Sequence, residues 1–256
     1  DWIPETNDIA LSRDMDTLER ISYPSKSTET IVSLDALNGE LNKFTISNLK
    51  RFHSIEWKDK NNFVFETQNT YFSFDILQKK LEKLNSWTED AESTDFCTAN
   101  NIMAYTKDNN LYISIKGEEI AVTQESDPNI VMCNYIHREE FGITKGTFWS
   151  PKGNYLAFYR MDENDVSNYP IVDVLPRVAE LKEIKYPMAG MNSHYVTLGI
   201  YNIKSKETIF VKTGEPKDQY LTSVTWSPNE DYVFIGILNR EQNHLKLNMY
   251  DAKTGN

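Results

Sequence analysis

Three tryptophans constrain what this chain can fold into. Trp57 leads through Lys58-Asp59-Lys60-Asn61-Asn62 to Phe63-Val64-Phe65. Trp149 leads through Ser150-Pro151-Lys152-Gly153-Asn154 to Tyr155-Leu156-Ala157-Phe158, and Trp226 through Ser227-Pro228-Asn229-Glu230-Asp231 to Tyr232-Val233-Phe234. In each, an aromatic falls six residues after the tryptophan and an apolar strand follows. Proline pre-sets φ for a turn, and Asn, Asp and Gly tolerate its left-handed position. A strand ending on Trp, a turn and a strand beginning at the aromatic make a hairpin. A fourth, weaker copy opens the chain at Trp2-Ile3-Pro4, with Ile9-Ala10-Leu11 downstream.

Further alternating segments follow the hairpins: Tyr71 to Ile76, Asn110 to Ile115, Tyr195 to Tyr201 and Leu245 to Asp251. A hairpin plus further strands, repeated at intervals of about 40–90 residues, is the pattern of four-stranded propeller blades. The fold class is therefore all-β, a partial β-propeller of four to five blades. The blades fall at about 1–40, 45–85, 95–125, 142–213 and 220–256, the third lacking its tryptophan. Trp149, Phe158, Trp226 and Phe234 are expected to be buried between them. Helical signal is scarce: Asp16 to Arg20 and Leu77 to Leu84 could each form a turn or two, the second better read as edge strand. No linker rich in Gly, Pro or Ser divides residues 1–256, which read as one propeller domain. The last blade stops one strand short of four, and open edges are a liability, so the chain is expected to be a fragment.

Charge and cysteines narrow the function. There are 27 basic against 38 acidic residues, a net charge of −11, which disfavours a nucleic-acid or anionic-membrane partner. No apolar run reaches the ~18–20 residues of a membrane helix. No signal peptide is present, so the protein is intracellular or its targeting segment has been removed. Cys97 and Cys133 have no Cys or His at ligand spacing, so zinc is not expected, and two buried free thiols are.

The constellations that could carry chemistry are few. None of the ten glycines completes the Gly-x-Ser-x-Gly of an α/β-hydrolase nucleophile, and no alternation of strands and helices builds its sheet. The chain is read as lacking a catalytic triad, with no cofactor and no metal site. His53, His137, His194 and His244 are scattered and read as ordinary histidines. Glu118-Glu119 follows a Lys116-Gly117 turn. Asp162, Glu163 and Asp165 lack calcium-loop spacing and read as an acidic loop. Glu139-Glu140 differs. It closes a short polar segment from Tyr135, outside the repeat and directly before a blade's inner strand. Solvated acids are the ordinary explanation of such a pair. Loops on a rigid β scaffold are where binding groups lie, however, and adjacent carboxylates suit a primary ammonium with its three donors.

The stretch around that pair carries a resemblance. Glu139-Glu140-Phe141-Gly142-Ile143, Thr144-Lys145-Gly146, Phe148-Trp149-Ser150-Pro151, Leu156 to Asp162, Tyr169-Pro170 and Tyr186-Pro187-Met188-Ala189-Gly190 are similar to the propeller of bacterial dipeptidyl peptidase IV, within the prolyl oligopeptidase family. The resemblance implies an eight-bladed propeller preceding a C-terminal serine hydrolase domain of the same protein. In that family two glutamates on a short propeller helix grip the free N-terminal amine of a peptide substrate, so that X-Pro or X-Ala dipeptides are released. Glu139 and Glu140 match those positions. An arginine from an earlier blade also holds substrate in the mammalian enzyme, and Phe65 to Asp75 contains none. The resemblance further implies a periplasmic or secreted protein and a homodimer in the full-length form, through an arm matched to Asn202–Gln219. That stretch is short and polar, so the fragment is expected to be largely monomeric. The alternative is a stand-alone propeller acting as a protein-binding scaffold, and a third is a pseudo-peptidase without a nucleophile.

Overall fold

The computed structural model describes residues 1–12, 14–52, 54–133 and 140–256. They form two compact units, Asp1–Glu89 with Ser114–Glu118, and Asp90–Ile113 with Glu119–Asn256.

The first unit begins with an antiparallel meander of β1 (Asp8–Ser12), β2 (Thr17–Ser22) and β3 (Thr28–Ser33). A second meander joins β4 (Glu56–Trp57), β5 (Asn62–Thr67), β6 (Thr70–Asp75) and β7 (Lys80–Ser86) in chain order. Its core is an aromatic ladder. Phe63 stands opposite Phe74, and Phe65 opposite Phe72, on paired strands. The rings stack with centroids 5.1 and 5.8 Å apart. Such cross-strand pairs are the unit of sheet stabilisation. Against this ladder lies a helix the sequence reading passed over, α1 (Leu34–Leu41), whose Leu34, Leu37 and Leu41 are buried. Its start is set by Ser33, which accepts a hydrogen bond from the Ala36 N–H. Of the two stretches considered for helical turns, Asp16 to Arg20 lies largely in β2, and Leu77 to Leu84 runs from the β6–β7 turn into β7, the edge strand and turn it was better read as.

The third sheet runs β8 (Glu92–Cys97), β9 (Ile102–Lys107), β10 (Asn110–Ile115) and β11 (Glu118–Ala121). It is the blade without a tryptophan. Its last turn is at Gly117, φ +87°, and Glu119 accepts from the Tyr105 hydroxyl and the Lys107 ammonium. A fourth sheet centres on β14 (Tyr155–Asp162), with β17 (Tyr195–Asn202) and then β18 (Glu207–Phe210) on one side. On its other side β12 (Ile130–Met132) and β13 (Thr147–Trp149) pair with different halves of β14. The fifth meander is β19 (Gln219–Trp226), β20 (Tyr232–Asn239) and β21 (Leu245–Asp251). Each of the five blade ranges read from the sequence holds most of one of these sheets, but β12 of the fourth sheet, Ile130–Met132, lies ahead of the range 142–213.

In two of the three tryptophan repeats the turn is closed by a serine, and in the first Asp59 Oδ1 takes that place by accepting from the Asn61 and Asn62 N–H groups. Tyr155 N–H donates to Ser150 Oγ at 2.9 Å, and Tyr232 N–H to Ser227 Oγ at 3.0 Å. Of the four residues expected in the core, Phe158 is fully buried and Trp226 nearly so. Trp149 and Phe234 are only half-buried. Trp149 lies along a groove with its indole N–H donating to the Asp95 carbonyl at 3.0 Å. Phe234 is on the face of β20 opposite the buried Val233 and Ile235. Cys97 and Cys133 are both buried free thiols. Burial pushes both thiols up, against hydrogen bonds from Ala99 and Asn100 in the case of Cys97.

A two-stranded antiparallel sheet, β15 (Asn168–Asp173) and β16 (Glu180–Lys185), interrupts the fourth blade between β14 and β17. It is the armlike feature. The stretch assigned to an arm from sequence, Asn202–Gln219, is instead the β17–β18 turn, strand β18 and the connection to β19. The projecting hairpin is not polar: Val174, Leu175, Val178 and Leu181 are 75, 93, 77 and 73% exposed.

Candidate ammonium-binding site

The broken inner strand of the fourth blade builds the site. Strands β12 and β13 flank a connection whose described part, residues 140–146, opens on a 3-10 turn. Both stems are tied to one residue of β14: Cys133 N–H donates to the Tyr159 carbonyl, and Tyr159 N–H to the Gly146 carbonyl, each at 3.0 Å. The stems touch so closely that a Cβ on Gly146 would lie 2.4 Å from the Cys133 backbone, closer than real contacts allow. This explains the glycine of Thr144-Lys145-Gly146 as the crossing point of the loop. Tyr159 is itself fixed, its buried hydroxyl donating to the Leu221 carbonyl at 2.8 Å. Burial pushes that phenol well above its ordinary range.

Of the two predicted acids, Glu139 lies outside the described residues, as do His53 and His137. Glu140 opens a 3-10 turn over residues 140–142 and is exposed. Ile143 N–H closes the turn onto the Glu140 carbonyl at 3.1 Å. Glu140 lines a cleft of about 250 Å³ together with Pro187, Ser193, His194, Tyr220, Arg240 and Gln242. Pro187 belongs to the Tyr-Pro-x-Ala-Gly run, so two separated stretches of the quoted resemblance meet here. Tyr220, Arg240 and Gln242 went unnoticed in the sequence because they come from β19 and the β20–β21 turn, 80 to 102 residues on. The only local signal was a polar turn, Asn239-Arg240-Glu241-Gln242-Asn243, after an apolar strand.

A carboxylate at the mouth of a mixed polar cleft can accept hydrogen bonds from a cation. The acidic loop has a structural role: Asn164 Nδ2 donates to Asp127 Oδ2 at 2.9 Å and Asp162 Oδ1 at 3.1 Å. Among the described residues no group of three His, Cys, Asp or Glu is placed to hold a metal ion. Among them, too, no helix is long and apolar enough to cross a membrane. Residues 65–75, without arginine, form the β5–β6 hairpin of the first unit.

The model of the dipeptidyl peptidase IV (DPP IV) N-terminal region matches residues 47–256. The chain belongs to this family. The crystal structure of a putative dipeptidyl aminopeptidase IV from Bacteroides ovatus superposes with a TM-score of 0.87 at 36% identity, over 98% of this chain and 35% of that one. Porphyromonas gingivalis dipeptidyl peptidase 4, at 22% identity, shares the fold with a TM-score of 0.72 over 98% of this chain and 37% of its own. The dipeptidyl aminopeptidase B of Saccharomyces cerevisiae is 30% identical over 217 residues, 79% of this chain and 26% of that protein. A probable dipeptidyl-aminopeptidase B of Phaeosphaeria nodorum is 28% identical over 204 residues, 71% and 22% respectively. The chain thus spans about a quarter of the length of the curated relatives it matches. It is an all-β, partial propeller of the DPP IV N-terminal type.

Proposed function

We propose that this chain is the substrate-anchoring propeller of a serine dipeptidyl peptidase whose C-terminal hydrolase domain supplies the nucleophile. Glu139 and Glu140 bind the free N-terminal ammonium of a peptide, so that the scissile bond lies after the second residue. The observation that carries this reading is the placement of Glu140. It stands at a cleft, on a loop whose stems are locked at Cys133, Gly146 and Tyr159. A carboxylate carried on a fixed backbone binds a cation with less ordering of the chain that bears it, which is where much binding energy otherwise goes. The chain contributes position and charge, and the family to which it belongs supplies the expectation of a hydrolase partner. The same reading includes a homodimer of the full-length protein, supported by the exposed apolar side chains of the β15–β16 hairpin.

The test is steady-state kinetics of the full-length protein carrying Glu139→Gln or Glu140→Gln, on an X-Pro substrate with a free amine. Each charge-assisted hydrogen bond is worth roughly 1.5–3 kcal/mol. Each substitution should therefore lower kcat/KM by about one to two orders of magnitude. Misplacing the scissile bond lowers kcat as well as raising KM. An N-acetylated substrate, which offers no ammonium, should be poor with wild type and variants alike. Wild-type kinetics in both variants, with folding intact, would remove the anchor.

A further inference from the structure

The residue that follows Glu140 is held in an unfavourable backbone conformation. Phe141 has φ +56°, in the left-handed region that a bulky side chain rarely enters. Such a conformation persists only where the surroundings over-determine it. Two contacts do so. Thr222 Oγ–H on β19 donates to the Phe141 carbonyl at 2.8 Å. The Phe141 ring packs on the Tyr220 ring, centroids 4.7 Å apart at 51°. Tyr220 and Thr222 are alternate residues of one strand, both buried, so they present a fixed two-point template. Ring and carbonyl are caught together, and the peptide that joins Glu140 to Phe141 is held from the other side by Ile143 N–H, which donates to the Glu140 carbonyl at 3.1 Å.

Tyr220 is held in turn. Arg240 Nη1 donates to its hydroxyl at 2.7 Å, and Arg240 Nε lies 3.8 Å from Asp218 Oδ1. The turn that bears Arg240 is preformed. Asn239 Oδ1 accepts from the N–H groups of Asn243 at 3.1 Å and His244 at 2.8 Å, and Gln242 N–H donates to the Asn239 carbonyl at 2.9 Å. The guanidinium is 40% exposed, so its pairing with Asp218 adds little to stability. What it does provide is a directed, charge-assisted donor that fixes the one polar atom of the Tyr220 side chain.

We propose that Arg240 is a positioning residue for the ammonium site. Through Tyr220 it clamps Phe141, and thereby sets the direction in which Glu140 presents its carboxylate. The inference rests on the reading of Glu140 as the substrate anchor. Its signature is dependence: removing Arg240 damages only what Glu140 does.

The experiment is a double-mutant cycle in the full-length protein, with Arg240→Met, Glu140→Gln and the two combined. It reads kcat and KM separately on a free-amine X-Pro substrate. Arg240→Met is expected to lower kcat/KM about three- to tenfold, the effect of one hydrogen bond. The combined variant should be no worse than Glu140→Gln alone, because coupled residues do not add. Arg240→Lys, which keeps a cationic donor, should recover part of the loss. Should Arg240→Met fail to fold, Tyr220→Phe removes the gripped hydroxyl alone and should show the same non-additivity. If Glu140→Gln is impaired while Arg240→Met and Tyr220→Phe stay within about twofold of wild type, the positioning role is overturned and the anchor stands. Additive losses in the combined variant would also overturn it, since Arg240 would then act elsewhere. Unchanged kinetics in Glu140→Gln would remove the anchor, and this inference with it.

Discussion

Glu230 is the side chain on which the two serine-closed turns meet. It occupies, in the Trp226 repeat, the place that Gly153 takes in the Trp149 repeat, and both have φ near +70°. At Gly153 a side chain is excluded, since a Cβ would lie 2.5 Å from the Asn100 amide and 2.8 Å from the Cys97 sulfur. At Glu230 the side chain is used instead. It is 4% exposed, and it accepts from Ser150 Oγ, Lys152 N–H and Asn154 Nδ2, each at 2.6 Å. Burial alone would raise its pKa, but these donors outweigh burial and hold the carboxyl below its ordinary 4.5. A carboxyl depressed on folding stabilises above its unfolded pKa, and the contribution is lost as pH falls through the folded value. Glu230→Gln should therefore cost about 2 kcal/mol at neutral pH, since charged hydrogen bonds are broken in a buried place. The difference from wild type should shrink as pH falls below 4.5. Denaturant titrations at neutral and acid pH check both statements, and a constant difference would show that Glu230 is not the titrating group. Nothing in the sequence marked this residue: a glutamate in a polar turn reads as solvated, and its donors lie 76–80 residues away.

Elements were legible where their period was unbroken. The tryptophan hairpins, the blade without tryptophan and the Gly117 turn follow from alternation and turn chemistry, which are local. Helix α1 was equally local and was missed. Ser33 stands as N-cap, with Leu34, Leu37, Asn38 and Leu41 buried at helical spacing behind it. It sits inside a strand-rich neighbourhood, where the period-2 reading absorbed it. Ser33→Ala removes the hydrogen bond to Ala36 N–H and should destabilise the first unit by about 1 kcal/mol. Hydrogen exchange should rise in residues 34–41 before it rises in the Phe63–Phe74 ladder, and uniform loss across both would refute this order. The interrupted strand β12–β13 was illegible for another reason. Only pairing with β14 reveals that Met132 and Thr147 are neighbours on one edge, and sequence does not contain pairing partners. So the loop bearing Glu140 could be recognised by its residues, but not the locked stems that aim it.

At the scale of the whole molecule, the exposed hairpin β15–β16 changes an expectation drawn from polarity. An arm at Asn202–Gln219 would bind weakly, whereas Val174, Leu175, Val178 and Leu181 leave large apolar side chains in water. Contiguous exposed apolar surface marks interaction sites. In the full-length protein Leu175→Asp with Leu181→Asp should convert a dimer to monomer in sedimentation, leaving free-amine kinetics within about twofold of wild type because the site lies elsewhere in the chain. A dimer that survives both substitutions would assign the interface to other residues. The clasp of Glu230 has a consequence in time as well as in energy. Ser150 leaves the ribosome 80 residues before the carboxylate that completes its turn. At 5–20 residues per second that is a wait of roughly 4–16 s. During it the fourth blade carries donors awaiting a partner not yet made. The order of synthesis thus makes the fifth blade the finisher of the fourth.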